Sequence, residues 1–177
     1  MTSERYNHPD RLFPTEPNLR TVAKRLYTEI KDLPIVSPHG HTEPAWFAAN
    51  EAFGNATELF LIPDHYLFRM LYSQGIPLES LGVPTIDGTP VETDQRKIWR
   101  TFAEHFHLFR GTPSRIWFEH ALHEVLGVEL PLTLERADEI YDEINKKLSR
   151  DAFRPRALFE SFNIEVLATT EPLLDDL

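Results

Sequence analysis

The chain is 177 residues long and 41% hydrophobic, which is enough to bury the core of one ordinary domain. Its 18 Lys and Arg residues against 28 Asp and Glu residues give a formal net charge of -10, so a phosphate backbone or an anionic membrane surface would be repelled on average. Nucleic acid and membrane are therefore not expected partners. The sequence contains no cysteine, which excludes disulfides, thiolate metal sites and a cysteine nucleophile. A polar start and the lack of an apolar run of roughly 20 residues predict a cytoplasmic protein.

The first predicted elements are a helix and a short strand. Apolar residues recur at steps of three and four over residues 16–33, which predicts an amphipathic helix, and Pro34 ends it. An apolar pair then opens an extended segment predicted to run over residues 35–41. A second predicted strand, residues 164–170, is β-branched and mostly apolar. A long and mostly helical stretch separates the two strands.

Two helix starts are marked clearly within that stretch. The sequence T-P-V-E at 89–92 predicts a helix with Thr89 as N-cap and Glu92 closing a capping box. Thr112 followed by Pro113 repeats the pattern for the next helix. The side chains predicted to be buried are, in the first helix, Ile98, Trp99, Phe102, Phe106 and Phe109, and in the second, Ile116, Trp117, Ala121, Val125 and Leu126.

Residues 35–41 read I-V-S-P-H-G-H and place His39 and His41 at the end of the predicted strand. Side chains two residues apart in a strand project from the same face, so the two imidazoles are predicted to point the same way. Imidazole nitrogens suit zinc and neighbouring transition metals, and the sites of α/β barrels lie at the carboxyl ends of strands. The same pattern also occurs at ordinary exposed strand ends. These residues are therefore compatible with a metal site and with a pair of surface histidines.

The sequence P-D-H-Y-L-F-R-M-L at 63–71 is a second candidate. With Asp64 as N-cap, His65 and Tyr66 lie in the first helical turn and Arg69 follows on the same face. A helix N-terminus attracts anions, and Arg binds carboxylates through two N–H groups, which together favour an acidic substrate. The same residues are also typical of a purely structural helix start.

Other chemistry-bearing patterns are less specific. His105 and His107 lie two apart in a predicted helix and therefore point to different sides, so a shared metal is not expected. The order E-H-A-L-H-E around His120 and His123 differs from the H-E-x-x-H of zinc peptidases. The sequence has neither a Gly-rich phosphate loop nor a G-x-S-x-G nucleophile elbow, so kinase, NTPase and serine hydrolase chemistry are not supported.

Three motifs, taken in order, are L-P-I-V-S-P-H-G-H, P-D-H-Y-L-F-R-M-L and F-N-I-E-V-L-A-T-T-E-P-L-L-D-D-L. They resemble the N-terminal part of the uronate isomerases (glucuronate isomerases) of the amidohydrolase superfamily. The resemblance implies an α/β fold, the N-terminal fragment of a metal-dependent (β/α)8 TIM barrel, mostly helical here because of a large helical insertion between the first two barrel strands. It divides the chain into an N-terminal helical segment, residues 1–34, and the start of the barrel, residues 35–177, with strands near 35–41 and 164–170 and the insertion over 44–162.

The resemblance also implies roles for individual residues. His39 and His41 would be ligands of a divalent metal, zinc. His65 and Tyr66 would be catalytic, contacting the sugar or relaying protons, and Arg69 would help hold its carboxylate.

The family also needs a metal-binding Asp, with an Arg near it, from the last barrel strand, and neither is expected in this sequence. Thr169 and Thr170 would end the second strand at the barrel mouth. Many members read T-T-D-D-P where this chain has T-T-E-P, so no catalytic role is assigned to Glu171. The chain looks like roughly the first two fifths of a typical member and is expected to be inactive by itself.

The reaction implied by the resemblance interconverts aldose and ketose uronates, such as D-glucuronate with D-fructuronate and D-galacturonate with D-tagaturonate, by metal-assisted proton transfer through an enediol. The partner would be a small-molecule sugar acid, and a homo-oligomer stays open. Two alternatives are a metal-dependent hydrolase of the same superfamily and an inactive helical fragment that exposes apolar strand faces.

Overall fold

A computed structural model describes residues 8–170, which form two compact units. We call residues 8–51 with 151–170 the strand unit and residues 52–150 the helical unit. In chain order the helices and strands are α1 (Pro17–Ile30), β1 (Ile35–Ser37), α2 (Pro44–Ala49), α3 (Ala56–Phe60), α4 (His65–Ser73), α5 (Gln95–His105), α6 (Pro113–His120), α7 (Ala137–Leu148), α8 (Pro155–Ser161) and β2 (Ile164–Leu167). Short 3-10 turns lie at Leu78–Leu81, Phe106–Phe109, Leu134–Arg136 and Asp151–Phe153, and a π turn at Ala121–Val125.

The strands β1 and β2 pair in parallel to form a two-stranded sheet. Their backbone bonds include Ile35 N–H to the Asn163 carbonyl, 2.8 Å, and Ala168 N–H to the Ser37 carbonyl, 2.9 Å. Both strands were predicted, but each ends three or four residues earlier than expected. Pro38 has no N–H to donate to a ladder, which explains why β1 stops at the residue before it.

Helix α1 begins where the sequence predicts, because the side chain of Glu16 accepts bonds from Asn18 N–H, 3.0 Å, and Leu19 N–H, 2.6 Å. Its apolar stripe is present but uncovered in the described chain, and no residue of the helix is buried. The exposed apolar side chains of this stripe and its extension are Leu19, Val22, Leu26, Tyr27, Ile30 and Leu33. The strand side chains Ile35, Val36 and Val166 are exposed as well, as expected for apolar strand faces without a covering layer.

The helical unit is built around a cluster of aromatic side chains. The ring of Phe102 lies 5.1 Å from that of Phe118 and 5.3 Å from that of Phe106, and all three are fully buried. The buried indole of Trp99 donates a hydrogen bond to the Ala137 carbonyl at the start of α7, 2.8 Å. The stripe predicted for α5 is therefore confirmed as the centre of this core.

The stripe predicted for the next helix is wrong in phase over most of its length. Ile116 and Trp117 are each 37% exposed, whereas Phe118 and Leu122, which were not in the predicted stripe, are buried. Leu126, the last residue of the predicted stripe, is buried as predicted. The ring of Phe118 fills the aromatic cluster, which turns the preceding residue outward. Periodicity alone identified an apolar helix here but did not decide which of its adjacent apolar residues faces the core.

The start predicted for α5 is also wrong. Its N-cap is Asp94, whose side chain accepts bonds from Arg96 N–H, 3.0 Å, and Lys97 N–H, 3.1 Å. Thr89 lies in a loop, and Glu92 accepts from the backbone of the two residues that follow it instead of closing a capping box. The helix therefore begins at Asp94, an N-cap four residues before the first residue of the apolar stripe, and not at the Thr-Pro pair.

Ion pairs link α5 to α7 on the surface of the helical unit. Arg100 and Arg96 both bind Asp138, and Arg96 also binds Asp142. The hydrogen bond from Arg100, with a further one from Arg96, holds the pKa of the Asp138 carboxyl below its ordinary value. The ionised Asp138 carboxyl therefore contributes to the stability of the folded state at neutral pH, and this contribution is lost as the pH falls through that lowered pKa.

Within residues 8–170, none of the helices combines the length and apolar character needed to cross a bilayer. The helical unit, residues 52–150, lies inside the insertion of 44–162 that the resemblance implies. The boundaries implied for the other segments stay a prediction.

Replacing Phe118 by Ala should lower the free energy of unfolding by about 3–5 kcal/mol, because a fully buried ring leaves a cavity among its neighbours. Trp117→Ala is the matched control: the neighbouring, partly exposed side chain should cost less than half as much. Urea unfolding followed by circular dichroism measures both. Equal losses would contradict the orientation of α6.

Candidate functional site

The imidazoles of His39 and His41 meet just beyond the end of β1. Their Nε2 atoms lie 3.0 Å apart, with ring centroids 4.9 Å apart and ring planes at 74°. Both side chains are exposed. The histidines follow the strand rather than lying in it, so the alternation of strand side chains is not what brings the rings together.

The spacing of the two nitrogens fits ligands of a single cation. Zinc binds imidazole nitrogen at about 2.0–2.1 Å, so two nitrogens on one zinc at an angle of about 90–110° lie about 2.9–3.4 Å apart. The observed 3.0 Å falls in that range. Zinc takes further ligands, and among residues 8–170 no group of three or more His, Cys, Asp or Glu side chains is placed to hold a metal. The pair can therefore supply only part of a metal site.

The segment between the two histidines lies against the end of β2. A Cβ atom built on Gly40 would be 3.1 Å from Leu167 Cδ1 and 3.2 Å from the Ala168 carbonyl oxygen, so a side chain here would crowd the strand. The hydroxyl of Thr170 donates a hydrogen bond to the Gly40 carbonyl, 3.1 Å. Glycine between the histidines thus has a packing reason that the sequence pattern did not show.

A cavity of about 440 Å³ lies in the strand unit beside these elements. Its lining is mostly apolar and includes Phe47 of α2, Phe159 of α8 and Leu167 of β2, with Thr169 after β2. Arg156 of α8 also lines it, and its guanidinium donates to the backbone carbonyls of α2 at 2.8 and 3.0 Å. These partners lie more than a hundred positions from Arg156 in sequence, so sequence reasoning missed its part in shaping the cavity.

The second candidate motif lies in the helical unit at the start of α4. Asp64 is the N-cap, and its side chain accepts from Tyr66 N–H, 2.8 Å, and Leu67 N–H, 3.2 Å. The rings of His65 and Tyr66 lie 4.3 Å apart with planes tilted by 32°. The start predicted for this helix is therefore confirmed, and its first turn presents an imidazole and a phenol side by side.

The side chains of α4 that are predicted to form a site point away from the core. Leu67 and Leu71 are buried, whereas His65, Tyr66 and Arg69 are exposed. Arg69 makes no hydrogen bond or ion pair with a described residue, which leaves its guanidinium available to an anion. The helix thus combines a buried apolar side with an exposed polar side that carries all three predicted site residues.

The structure joins His39 with His41 in the strand unit, and His65 with Tyr66 in the helical unit. Glu171 lies outside the described residues.

The pair His105 and His107 differs from the pair after β1. Each of these rings has its Nδ1 atom at hydrogen-bond distance from a backbone carbonyl, 2.8 Å for His105 and 3.1 Å for His107. Their ring centroids are 6.3 Å apart. One ring nitrogen of each histidine is therefore engaged by a backbone carbonyl of its own helical segment, and the absence of a shared metal stays a prediction.

Comparison with known proteins gives a consistent result. A family model described as glucuronate isomerase matches residues 18–177. A uronate isomerase from Mesorhizobium japonicum is 61% identical over 169 residues, which are 96% of this chain and 36% of that protein. One from Phenylobacterium zucineum is 58% identical over 177 residues, 100% of this chain and 37% of that protein.

Two solved structures are similar to the chain. The crystal structure of glucuronate isomerase from Caulobacter crescentus matches with a TM-score of 0.89 at 57% identity, over 93% of this chain and 34% of that one. The uronate isomerase structure from Thermotoga maritima matches with a TM-score of 0.79 at 28% identity, over 94% of this chain and 34% of that one. The chain spans about 36% of the length of the curated relatives it matches, close to the share expected from its motifs.

Replacing Asp64 by Ala should lower the free energy of unfolding by about 1 kcal/mol, because two N–H groups at the start of α4 lose their acceptor. Asp64→Asn is the control, since its side-chain oxygen still caps the helix and should retain nearly all of the stability. Urea unfolding measures both variants. If Asp64→Asn lowered the free energy of unfolding as much as Asp64→Ala does, the charge of Asp64 and not its capping bonds would be what stabilises the helix.

Proposed function

Because the chain belongs to the glucuronate isomerase family, we propose that the whole protein interconverts aldose and ketose uronates, D-glucuronate with D-fructuronate and D-galacturonate with D-tagaturonate. The observation that carries the proposal is the family match over residues 18–177. The exposed His65, Tyr66 and Arg69 on one helix support it, because they are the side-chain types that this reaction needs. The comparisons favour neither the superfamily hydrolase nor the inactive fragment as the nature of the whole protein.

The reaction moves one proton from C2 to C1 of the sugar through an enediol, while a hydroxyl proton passes from O2 to O1. An acid–base group must therefore reach both carbons, and a second group must serve the oxygens. The imidazole of His65 and the phenol of Tyr66 can each give and take a proton, and their rings lie 4.3 Å apart. In the proposed mechanism this pair relays the protons between the substrate atoms.

The carboxylate at the far end of the sugar needs a cationic partner. The guanidinium of Arg69 is exposed and lies one helical turn beyond the pair, and it offers parallel N–H groups to a carboxylate. The N-terminal end of α4 favours negative charge in the same region. We assign Arg69 to substrate binding, where it sets the orientation of the sugar relative to His65 and Tyr66.

We propose His39 and His41 as ligands of a divalent metal, zinc. The separation of 3.0 Å between their Nε2 atoms and the preference of imidazole for zinc support the assignment. When bound, such a metal acts as a Lewis acid toward hydroxyl or carbonyl oxygens. His39 and His41 would hold it just beyond the end of β1, and its remaining ligands would come from other parts of the protein.

We also propose that β1 and β2 are the first two strands of a (β/α)8 barrel, with the helices between them as an insertion. Parallel pairing supports this, since parallel neighbours require a long crossover connection. A cytoplasmic location, a homo-oligomeric state and the lack of nucleic-acid partners stay predictions.

The activity is tested by incubating the whole protein with D-glucuronate and measuring ketose formation. His65→Asn and Tyr66→Phe should each lower turnover by about 100-fold or more, the usual contribution of a positioned acid–base group. Tyr72→Phe is the matched control, an exposed tyrosine on the same helix, and should leave turnover unchanged. Wild-type turnover in both site variants would remove their assigned roles. The chain of 177 residues by itself is expected to show no turnover.

The metal assignment is tested on the whole protein by elemental analysis after dialysis. His39→Asn and His41→Asn should each lose more than half of the bound zinc, because each removes one of two adjacent donors. His107→Asn, an exposed histidine whose ring bonds to a backbone carbonyl, is the control and should retain it. Full zinc content in both site variants would contradict the assignment.

A further inference from the structure

Two hydroxyl groups hold the backbone between the paired histidines. Only two peptide groups connect the Cα atoms of His39 and His41, and their carbonyl oxygens belong to His39 and Gly40. The hydroxyl of Ser37 donates to the His39 carbonyl, 3.1 Å, and that of Thr170 donates to the Gly40 carbonyl, 3.1 Å. Each peptide group between the two imidazoles is therefore fixed by one side-chain hydroxyl.

This restraint matters because the residue between the histidines is glycine. Glycine has the greatest conformational freedom of any residue, so a free Gly40 would let the two rings adopt many relative orientations. Both histidine side chains are exposed, so packing around the rings does little to restrict them. The hydrogen bonds to the two carbonyls limit this freedom, together with the close approach of Gly40 to the end of β2 and the contact between the two imidazoles.

One of the two restraints depends on the tertiary structure. Thr170 is 130 positions from Gly40 in sequence and reaches it because the parallel pairing of the strands brings their ends together. The missing side chain of Gly40 permits this approach, since a Cβ atom would lie 3.1 Å from Leu167 Cδ1. Glycine thus both creates the need for a restraint and allows the threonine to supply it.

We propose that Ser37 and Thr170 are positioning residues that hold the imidazoles of His39 and His41 at the separation of metal ligands. They act through the two carbonyl groups between the rings and touch neither ring nitrogen. The inference rests on the proposed function in treating the pair as metal ligands. Fixing the donors before the metal binds removes an ordering cost from binding, so loss of a hydroxyl should weaken metal affinity.

The first test measures the zinc dissociation constant of the whole protein by competition with a chelating dye. Thr170→Val keeps the shape of the side chain and removes the hydroxyl, and should raise the dissociation constant by up to about tenfold, because the released imidazole must then be ordered when the metal binds. Thr170→Ser restores the hydroxyl and should restore the affinity. Thr169→Val, the same change at the neighbouring position, should leave the affinity unaltered.

The second test needs no metal. In the metal-free protein with labelled histidine, cross-relaxation between the ring protons of His39 and His41 reports that the rings are adjacent, as the centroid distance of 4.9 Å requires. The cross-peaks should weaken in Thr170→Val and in Ser37→Ala, which each release one carbonyl. They should persist in Thr170→Ser.

The two tests separate the positioning role from the proposed function. If the wild-type protein binds no zinc, the metal assignment fails, and the ring cross-peaks still decide whether the hydroxyls position the pair. Unchanged cross-peaks in Thr170→Val and Ser37→Ala overturn the proposal. Circular dichroism of each variant shows whether it has folded, and if Thr170→Val does not fold, Ser37→Ala decides the outcome.

Discussion

The parallel pairing of β1 with β2 is the contact on which the candidate metal site depends. It joins two short strands that are far apart in sequence and brings the residues that follow each strand to the same edge of the sheet. At that edge the Gly40 backbone lies against the end of β2 and accepts the hydroxyl of Thr170. Without the pairing, the histidine segment would be a loop with a glycine at its centre and only the local Ser37 hydroxyl to restrain it.

The two units are stabilised by different interactions. Apart from Pro155, the buried apolar side chains of the described chain belong to the helical unit, where an aromatic cluster around Phe102 and Phe118 joins α5 to α6. That core also supports the helix that carries the second candidate motif, because α4 packs on the turns Leu78–Leu81 and Phe106–Phe109 through its buried side. A rigid base of this kind leaves the exposed side of α4 free to present His65 and Tyr66 to a ligand.

The strand unit depends more on hydrogen bonds. Pro155 is the one buried apolar residue among its described residues, and the stripe of α1 and the strand residues Ile35, Val36 and Val166 are exposed. Backbone bonds join its strands, and Arg156 clamps α8 to the carbonyls of α2. Segments with little apolar burial are the ones that open most readily. The order of the histidine pair therefore depends more on the hydrogen bonds from Ser37 and Thr170 than it would in a well-packed region.

The sequence by itself determined the local features: the N-caps Asp64 and Thr112, the aromatic stripe of α5, the position of both strands and the H-x-H pattern, because capping, periodicity and proline act over a few residues. The local patterns did not decide between neighbouring candidates for the same role. The N-cap of α5 is Asp94 and not Thr89, and the buried residue of α6 is Phe118 and not Trp117, where packing against the aromatic cluster settles the choice. Only the tertiary structure decided that the strands pair in parallel and that Thr170 bonds the Gly40 carbonyl. These contacts join residues far apart in sequence, and no local pattern encodes which distant hydroxyl will reach a given carbonyl.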